Sequence, residues 1–423
     1  MLLPEFASHL RTLEWGFATA ARLSALRQLG ETSLNGKRSA AQETVRLIEA
    51  AHAVNDFASR HYVTDTPAVH WCDDVNPLTT KALSDGVVDM ARLCRSHDEL
   101  LLQLSATLRM LVDVAQADEL LRPAIVLRLL LGELPASRAA EPLAPRSLPG
   151  SKRLAAVKVL RGPTHVNTDP AFEPAYSLLQ QPLSTFGDTL QENVPYFWSL
   201  AIRESLAADL CALSMVEYDR MPLPFYRDMA KQCWDEMRHS LYFFELALLL
   251  IPELLEQLEE SDPLHESLSA FQRTGKGLPI PREGNLYEAI LNASLVERLI
   301  LLHRDTETPG ILRIKEKINS GFCASRPHLA AALEIVMRDE VTHSRFGNVW
   351  LKHMVPDGRE RQEAIATTEL LRGVFLLSSF AHHGGGSLSQ LLWRYSHGEV
   401  APVSALQIPD AQKRCPARIK VPA

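Results

Sequence analysis

With 423 residues and 46% hydrophobic side chains, the chain can bury a sizeable core and is long enough for two or three domains, which excludes a disordered protein. A formal charge of −7 removes any global electrostatic drive toward nucleic acid or an anionic membrane, so small molecules or proteins are the expected partners. Six cysteines (Cys72, Cys94, Cys211, Cys233, Cys323 and Cys415) without a CxxC pair argue against a disulfide framework or a zinc ribbon, and fit a reducing cytoplasm.

The opening stretch MLLPEFASHLRTLEW carries Glu5 early and lacks a basic start before an unbroken apolar run, so it does not read as a secretion signal. Apolar residues then recur at three and four positions almost throughout, which predicts a nearly all-helical protein. Residues 1–134 read as a first helical domain, with helices over Ala40 to Ser59, Leu78 to Arg95 and His97 to Val114. From 135 to 182 prolines are dense enough to block long helices and mark a linker or wrapping segment. Four longer helical segments follow within 183–356: Asp188 to Tyr218, Pro224 to Leu250, Leu286 to Arg304 and Pro327 to His353. That is the count of a four-helix bundle. Residues 357–423 hold a further apolar helix, Gln362 to Ala381, and a tail. The longest apolar run, near Leu246 to Ile251, is too short to span a bilayer.

Within the four segments one pattern repeats. Asp235-Glu236-Met237-Arg238-His239-Ser240 and Asp339-Glu340-Val341-Thr342-His343-Ser344 each set a carboxylate and an imidazole three residues apart, so both side chains reach the same point from one helical turn. Two such pairs, with one glutamate from each of the other two helices, form the general pattern of di-iron carboxylate bundles. Glu204 meets the first requirement: Leu200, Ala201, Ala207 and Ala208 place it on an apolar face, and Pro222 and Pro224 lie midway to Glu236. For the second, Glu288, Glu297 and Glu307 compete. Helix breakers decide: Pro309-Gly310 ends the third helix, Pro327 opens the fourth and Ile311 to Asn319 is a short insert, so Glu297, 12 residues before Pro309, and Glu340, 13 after Pro327, stand at matching heights. On that measure Glu288 lies too low and Glu307 falls in the turn.

Four carboxylates and two imidazoles suit iron or manganese, whereas the order Glu-x-x-His disfavours a zinc peptidase. Asp235 and Asp339, each preceding a ligand glutamate, are expected to accept the second N–H of the histidine on the opposite helix. The pairs His382-His383 and the cluster His70-Trp71-Cys72-Asp73-Asp74 read as ordinary tail and loop. His303, six residues from Glu297, is turned off the ligand face, and Cys211 and Cys233 read as packed apolar groups.

The stretches RESLAADL, WDEMRHSLYF and RDEVTHSRFGNVWL resemble the bacterial ferritin-like family catalogued as domain of unknown function 455, which is similar to the tRNA hydroxylase MiaE. The likeness covers roughly 183–354. It implies a ferritin-like four-helix bundle and a non-haem di-iron centre held by Glu204, Glu236, His239, Glu340 and His343; with residues 1–134 outside the likeness, the expected fold is all-α, such a bundle preceded by an additional N-terminal helical domain. The stretch from Glu297 to Pro309 is about one turn longer than in that family.

The expected function is therefore a cytoplasmic oxidoreductase that binds two iron ions, or manganese or a mixed manganese–iron pair. It would activate O2 to hydroxylate, desaturate or N-oxygenate a small metabolite, with an undefined electron donor and a monomeric or homodimeric state. Tyr196, Phe197, Tyr242 and Phe243 are candidate cavity residues, though aromatics at helical spacing are core by default. The competing reading is iron handling or peroxide scavenging without an organic substrate, for which a cage of many subunits would speak.

Overall fold

The computed structural model describes residues 3–31, 34–61, 90–117, 127, 129–130, 132, 134, 186–218, 221–274, 293–304 and 306–377. Among the described residues every regular element is helical, as the apolar periodicity requires. No helix there is long and apolar enough to cross a membrane. The Pro-rich stretch 135–182, the cluster at His70 to Asp74 and the pair His382-His383 lie outside the described residues.

The helices are α1 (Leu3–Gly30), α2 (Leu34–His61), α3 (Met90–Ala117), α4 (Leu190–Glu217), α5 (Leu223–Leu255) and α6 (Pro263–Thr274). A four-residue helix α7 (Leu295–Arg298) runs directly into a π-helical turn, Leu299–Arg304. Then come α8 (Glu307–Ile318), α9 (Gly321–Ala324), α10 (Pro327–Met354) and α11 (Gly358–Leu377).

The chain divides into two compact units, each made of separate stretches of sequence. One comprises Met1–Pro163 with Cys211–Met237, the other Thr164–Leu210 with Arg238–Ala423. The divisions fall inside α4 and α5, which run unbroken across them.

In the first unit α1 packs on α2 and α3. It is buried nearly all round: Phe6, Leu10, Leu13, Phe17, Ala21 and Leu26 are core, and so are the polar residues Glu14, Ser24 and Gln28. A helix enclosed on several sides has no polar face to spare, so its polar groups are bonded inside. Ser24 Oγ donates to Ala40 O at 2.9 Å, and the Cys233 thiol donates to Gln28 Oε1 at 2.8 Å. The break expected between Arg95 and His97 does not occur; α3 continues through it, because His97 packs into the core.

In the second unit α8 and the π-helical turn both pack on α10. The facing parts of α4 and α5 are joined by Ser240 Oγ donating to Ala201 O at 2.7 Å and by stacking of Phe197 on Phe243. Pro327 opens α10 at its first turn, where a missing N–H costs nothing. Helix α11 begins earlier than Gln362, because Asp357 Oδ1 accepts from the amides of Arg359 and Glu360 and so caps the first turn.

One buried charge in the first unit has a stability consequence. Glu14 is 2% exposed and meets Arg11 Nη1 at 2.6 Å, while Arg11 also bonds Asn55 Oδ1. Burial outweighs the arginine and pushes the Glu14 carboxyl up from 4.5 to about 7. The folded state therefore holds its proton more tightly than the unfolded chain. The resulting stability is fully present below pH 4.5 and is lost as pH rises through 7. Relative to Glu14→Gln, the wild-type protein should lose about 3 kcal/mol of unfolding free energy across that window. Chemical denaturation at pH 5, 6 and 7 checks this; parallel pH profiles for the two proteins would contradict it.

Candidate metal centre

Six side chains from four helices meet in two overlapping sets. Glu204, Glu236, His239 and Glu340 form one, and Glu236, Glu307, Glu340 and His343 the other; within each set one donor atom per residue lies within 4.8 Å of all the rest. Glu204 comes from α4, Glu236 and His239 from α5, Glu307 from the first position of α8, and Glu340 and His343 from α10. Glu236 and Glu340 belong to both sets. All six are buried except Glu204, which is half-buried.

The local sequence explains the convergence. On α5 and α10 a spacing of three residues lays glutamate and histidine on one face. On α10 that face is the buried stripe that also contains Leu333, Val336 and Phe346. Helical phase thus commits both polar side chains to the interior, and the surroundings must satisfy them.

Glu340 lies between the two imidazoles. Its Oε1 stands 3.3 Å from His239 Nδ1 and its Oε2 stands 2.9 Å from His343 Nδ1. The two rings are tilted by 41° with centroids 5.8 Å apart. Asp339 reaches the far side of His239: its Oδ2 accepts from His239 Nε2 at 3.1 Å and from Arg238 Nη2 at 2.9 Å. With Nε2 donating outward, Nδ1 keeps its lone pair toward the cluster, the tautomer a metal ligand requires. This is the cross-helix arrangement expected of Asp339. Asp235 is fully buried and is ion-paired with Lys231 one turn earlier. Glu236 Oε1 accepts from Gln232 Nε2 at 2.9 Å, which fixes the orientation of that carboxylate.

Five of the six residues selected from the sequence come together here. Glu297 is not among them, and Glu307 stands where it was expected. Glu297 closes a capping box at the start of α7: its Oε2 accepts from the Ser294 amide at 2.7 Å, and its own amide donates to Ser294 Oγ. The expectation failed because Pro309-Gly310 does not end a helix. Thr306 is the N-cap of α8, Pro309 is its third residue, and the first helical bond runs from Gly310 N to Thr306 O at 3.1 Å. A proline in the first turn supplies one of the positions that has no intrahelical partner anyway, so it fits there without cost. The π-helical turn further changes the residue count per turn between Glu297 and Glu307. A usable signal was present in the spacing: Glu204 precedes Glu236 by 32 residues and Glu307 precedes Glu340 by 33, whereas Glu297 precedes Glu340 by 43.

The π-helical turn is held tightly. Thr306 Oγ1 donates to Leu301 O at 2.7 Å, and α10 approaches the turn at Gly347. A Cβ on Gly347 would stand 2.6 Å from His303 Cβ and 3.0 Å from its carbonyl carbon. His303 is buried against this point and outside both donor sets.

Beyond Glu204 lies an aromatic group in which Tyr196, Phe197 and Phe243 are core and Tyr242 is half-buried. Burial raises the Tyr196 phenol well above its ordinary range. Lys317, on α8, holds its ammonium 4.7 Å from the centre of the Tyr196 ring. Burial, reinforced by the nearby Arg313, lowers its pKa to about 8.

The donor set passes a simple chemical test of fit. Four carboxylates gathered in a largely buried volume repel one another and lose their hydration, a cost that cations between them remove. Oxygen and imidazole donors together suit iron or manganese. Buried Glu and His groups able to hold metal are thus present. Comparison with family models, with curated proteins and with solved structures found no match.

Gly347→Ala tests whether the π-helical turn positions Glu307. The added methyl meets backbone as well as side chain, so the variant should lose about 1–3 kcal/mol of stability. It should also hold metal more weakly at the set containing Glu307 than at the set containing Glu204. Thermal melts and metal titrations followed by X-ray absorption report the two effects, and an unperturbed titration would separate the turn from the site.

Proposed function

We propose that the cluster is a dinuclear metal centre of the ferritin-like, carboxylate-bridged kind, and that the protein is an oxidoreductase that uses it to activate O2 against a small organic substrate. The observation that carries this reading is the sharing of Glu236 and Glu340 between two four-donor sets. Glu236 and Glu340 each carry two oxygens, so either carboxylate would serve both ions if two were bound. Glu204 with His239 then completes one position, and Glu307 with His343 the other. A single-ion site would need only one such set, and a simple acidic cluster would not place one imidazole at each end.

Iron bound here would supply the electrons that reduction of O2 requires, which amino-acid side chains lack. The chain's own residues have the supporting tasks. Glu236 and Glu340 would hold the two cations in common. Asp339 keeps His239 in the ligating tautomer, and Gln232 orients Glu236. Phe197 and Phe243, both almost fully buried, keep bulk water from the α4–α5 side. Hydroxylation, desaturation and N-oxygenation are all compatible with such a centre. The resemblance of RESLAADL, WDEMRHSLYF and RDEVTHSRFGNVWL to a ferritin-like family points the same way.

Anaerobic loading of the full chain with ferrous iron, followed by metal quantification, tests the reading. Two ions per chain are expected, falling to about one in Glu307→Ala and toward none in Glu236→Ala or Glu340→Ala, while Glu297→Ala keeps the full complement. Retention of both ions by Glu340→Ala would sink the dinuclear assignment. Exposure of the loaded protein to O2 with a mass-based metabolite screen then separates an oxygenase from an iron-handling protein. The oxygenase transforms an organic compound; the iron-handling protein consumes O2 without doing so.

A further inference from the structure

Glu204 is the one member of the cluster that is not buried, so the side of the cluster nearest the surface is its side. The residues around it are not neutral. Arg203, Arg313 and Lys317 all lie within electrostatic range of the Tyr196 hydroxyl or the Lys317 ammonium, as does Glu204 itself. Three cations, Arg203, Arg313 and Lys317, thus gather with Glu204 and Glu316 at this side.

Lys317 differs from the other cation in the same aromatic group. Arg326 lies over Phe322 at 4.2 Å, but its guanidinium also donates to Glu253 Oε2. Lys317 is half-buried over Tyr196, and among the described residues its ammonium has no carboxylate within ion-pairing distance and no hydrogen-bond acceptor. A desolvated ammonium that keeps its three donors unspent is costly to maintain, and a bound anion would use them. Next to it stands a continuous apolar wall. Phe186 meets Tyr196, Phe197 and Phe322 edge-on at 5.6, 6.2 and 5.9 Å, and Phe197 stacks on Phe243. Phe186 is half-buried and so forms the outer end of that wall.

We propose that Lys317 anchors the carboxylate of a small organic acid whose apolar body lies along Phe186, Tyr196 and Phe322 toward Glu204. This names the substrate class for the reaction proposed above and rests on that reading. Lys317 follows Glu307 by ten residues on the same helix, about 15 Å along its axis. An acid held at Lys317 would therefore approach the cluster from the Glu204 end, and one with an extended apolar body would reach further toward Glu307 than a compact one.

The test uses metal-free full-length protein, so that binding is read without turnover. 4-Phenylbutyrate is titrated by calorimetry against wild type, Lys317→Met and Lys317→Arg, with 4-phenylbutyramide as its uncharged counterpart. Wild type should bind the acid roughly tenfold more tightly than the amide. Lys317→Met, which keeps the stem and loses the charge, should bring the acid down to the level of the amide and leave amide binding unchanged. Lys317→Arg should restore most of the preference. Equal binding of acid and amide by wild type, an unaltered preference in Lys317→Met, or no binding of the acid at millimolar concentration would each overturn the proposal. Circular dichroism confirms that the variants fold. Iron content is measured in parallel on the same variants: two ions with no acid preference refutes the anchor alone, whereas acid preference without iron refutes the metal centre alone.

Discussion

Four carboxylates gathered in one largely buried volume are the constraint on which the architecture around them depends. Glu236 and Glu340 sit at its centre, with the imidazoles of His239 and His343 on either side of Glu340. Such a concentration of acid opposes folding unless positive charge offsets it, and Lys231 and Arg238 bring part of that charge to Asp235 and Asp339 beside the cluster. The rest of the local architecture follows from keeping these donors aligned. Asp339 turns one ring, Gln232 orients one carboxylate, and Ser240 ties α5 to the α4 backbone at Ala201, one turn before Glu204.

The π-helical turn is part of the same problem. A π turn is less well bonded than α-helix and is retained where it places a residue that a regular helix would misplace. Here the turn ends three residues before Glu307, and it is fitted closely against Gly347 and tied by the Thr306 hydroxyl. Glycine at 347 is required by close approach of backbone, the one use of glycine for which any side chain is a defect.

The surroundings of the cluster are asymmetric. Toward Glu236 the neighbours are tightly packed: Gln232, Cys233 and Met237 are all fully buried. Toward Glu204 the packing opens onto aromatic rings and cations, with Lys317 and Phe186 half-buried. An asymmetry of this kind separates the end where donors are held from the end where a ligand can approach.

The two Asp-Glu-x-x-His segments were legible in the sequence because their geometry is local: three residues is one turn, and a helical period is enough to show that both side chains face the same way. Glu204 was legible for the same reason, from the apolar residues one turn to either side. The all-helical class followed from periodicity alone. The sixth residue was not legible by the same route, since Glu307 becomes a cluster member only if Pro309 lies inside the first turn of a helix and a π turn precedes it. Both depend on packing against α10, which no local pattern reports. The division of α4 and α5 between two units is likewise a property of which surfaces meet. The sequence by itself thus determined the class of fold and which donors share a helical turn; the tertiary structure decided which glutamate joins them and on which side the cluster approaches the surface, because those depend on distances between segments and not on phase within one.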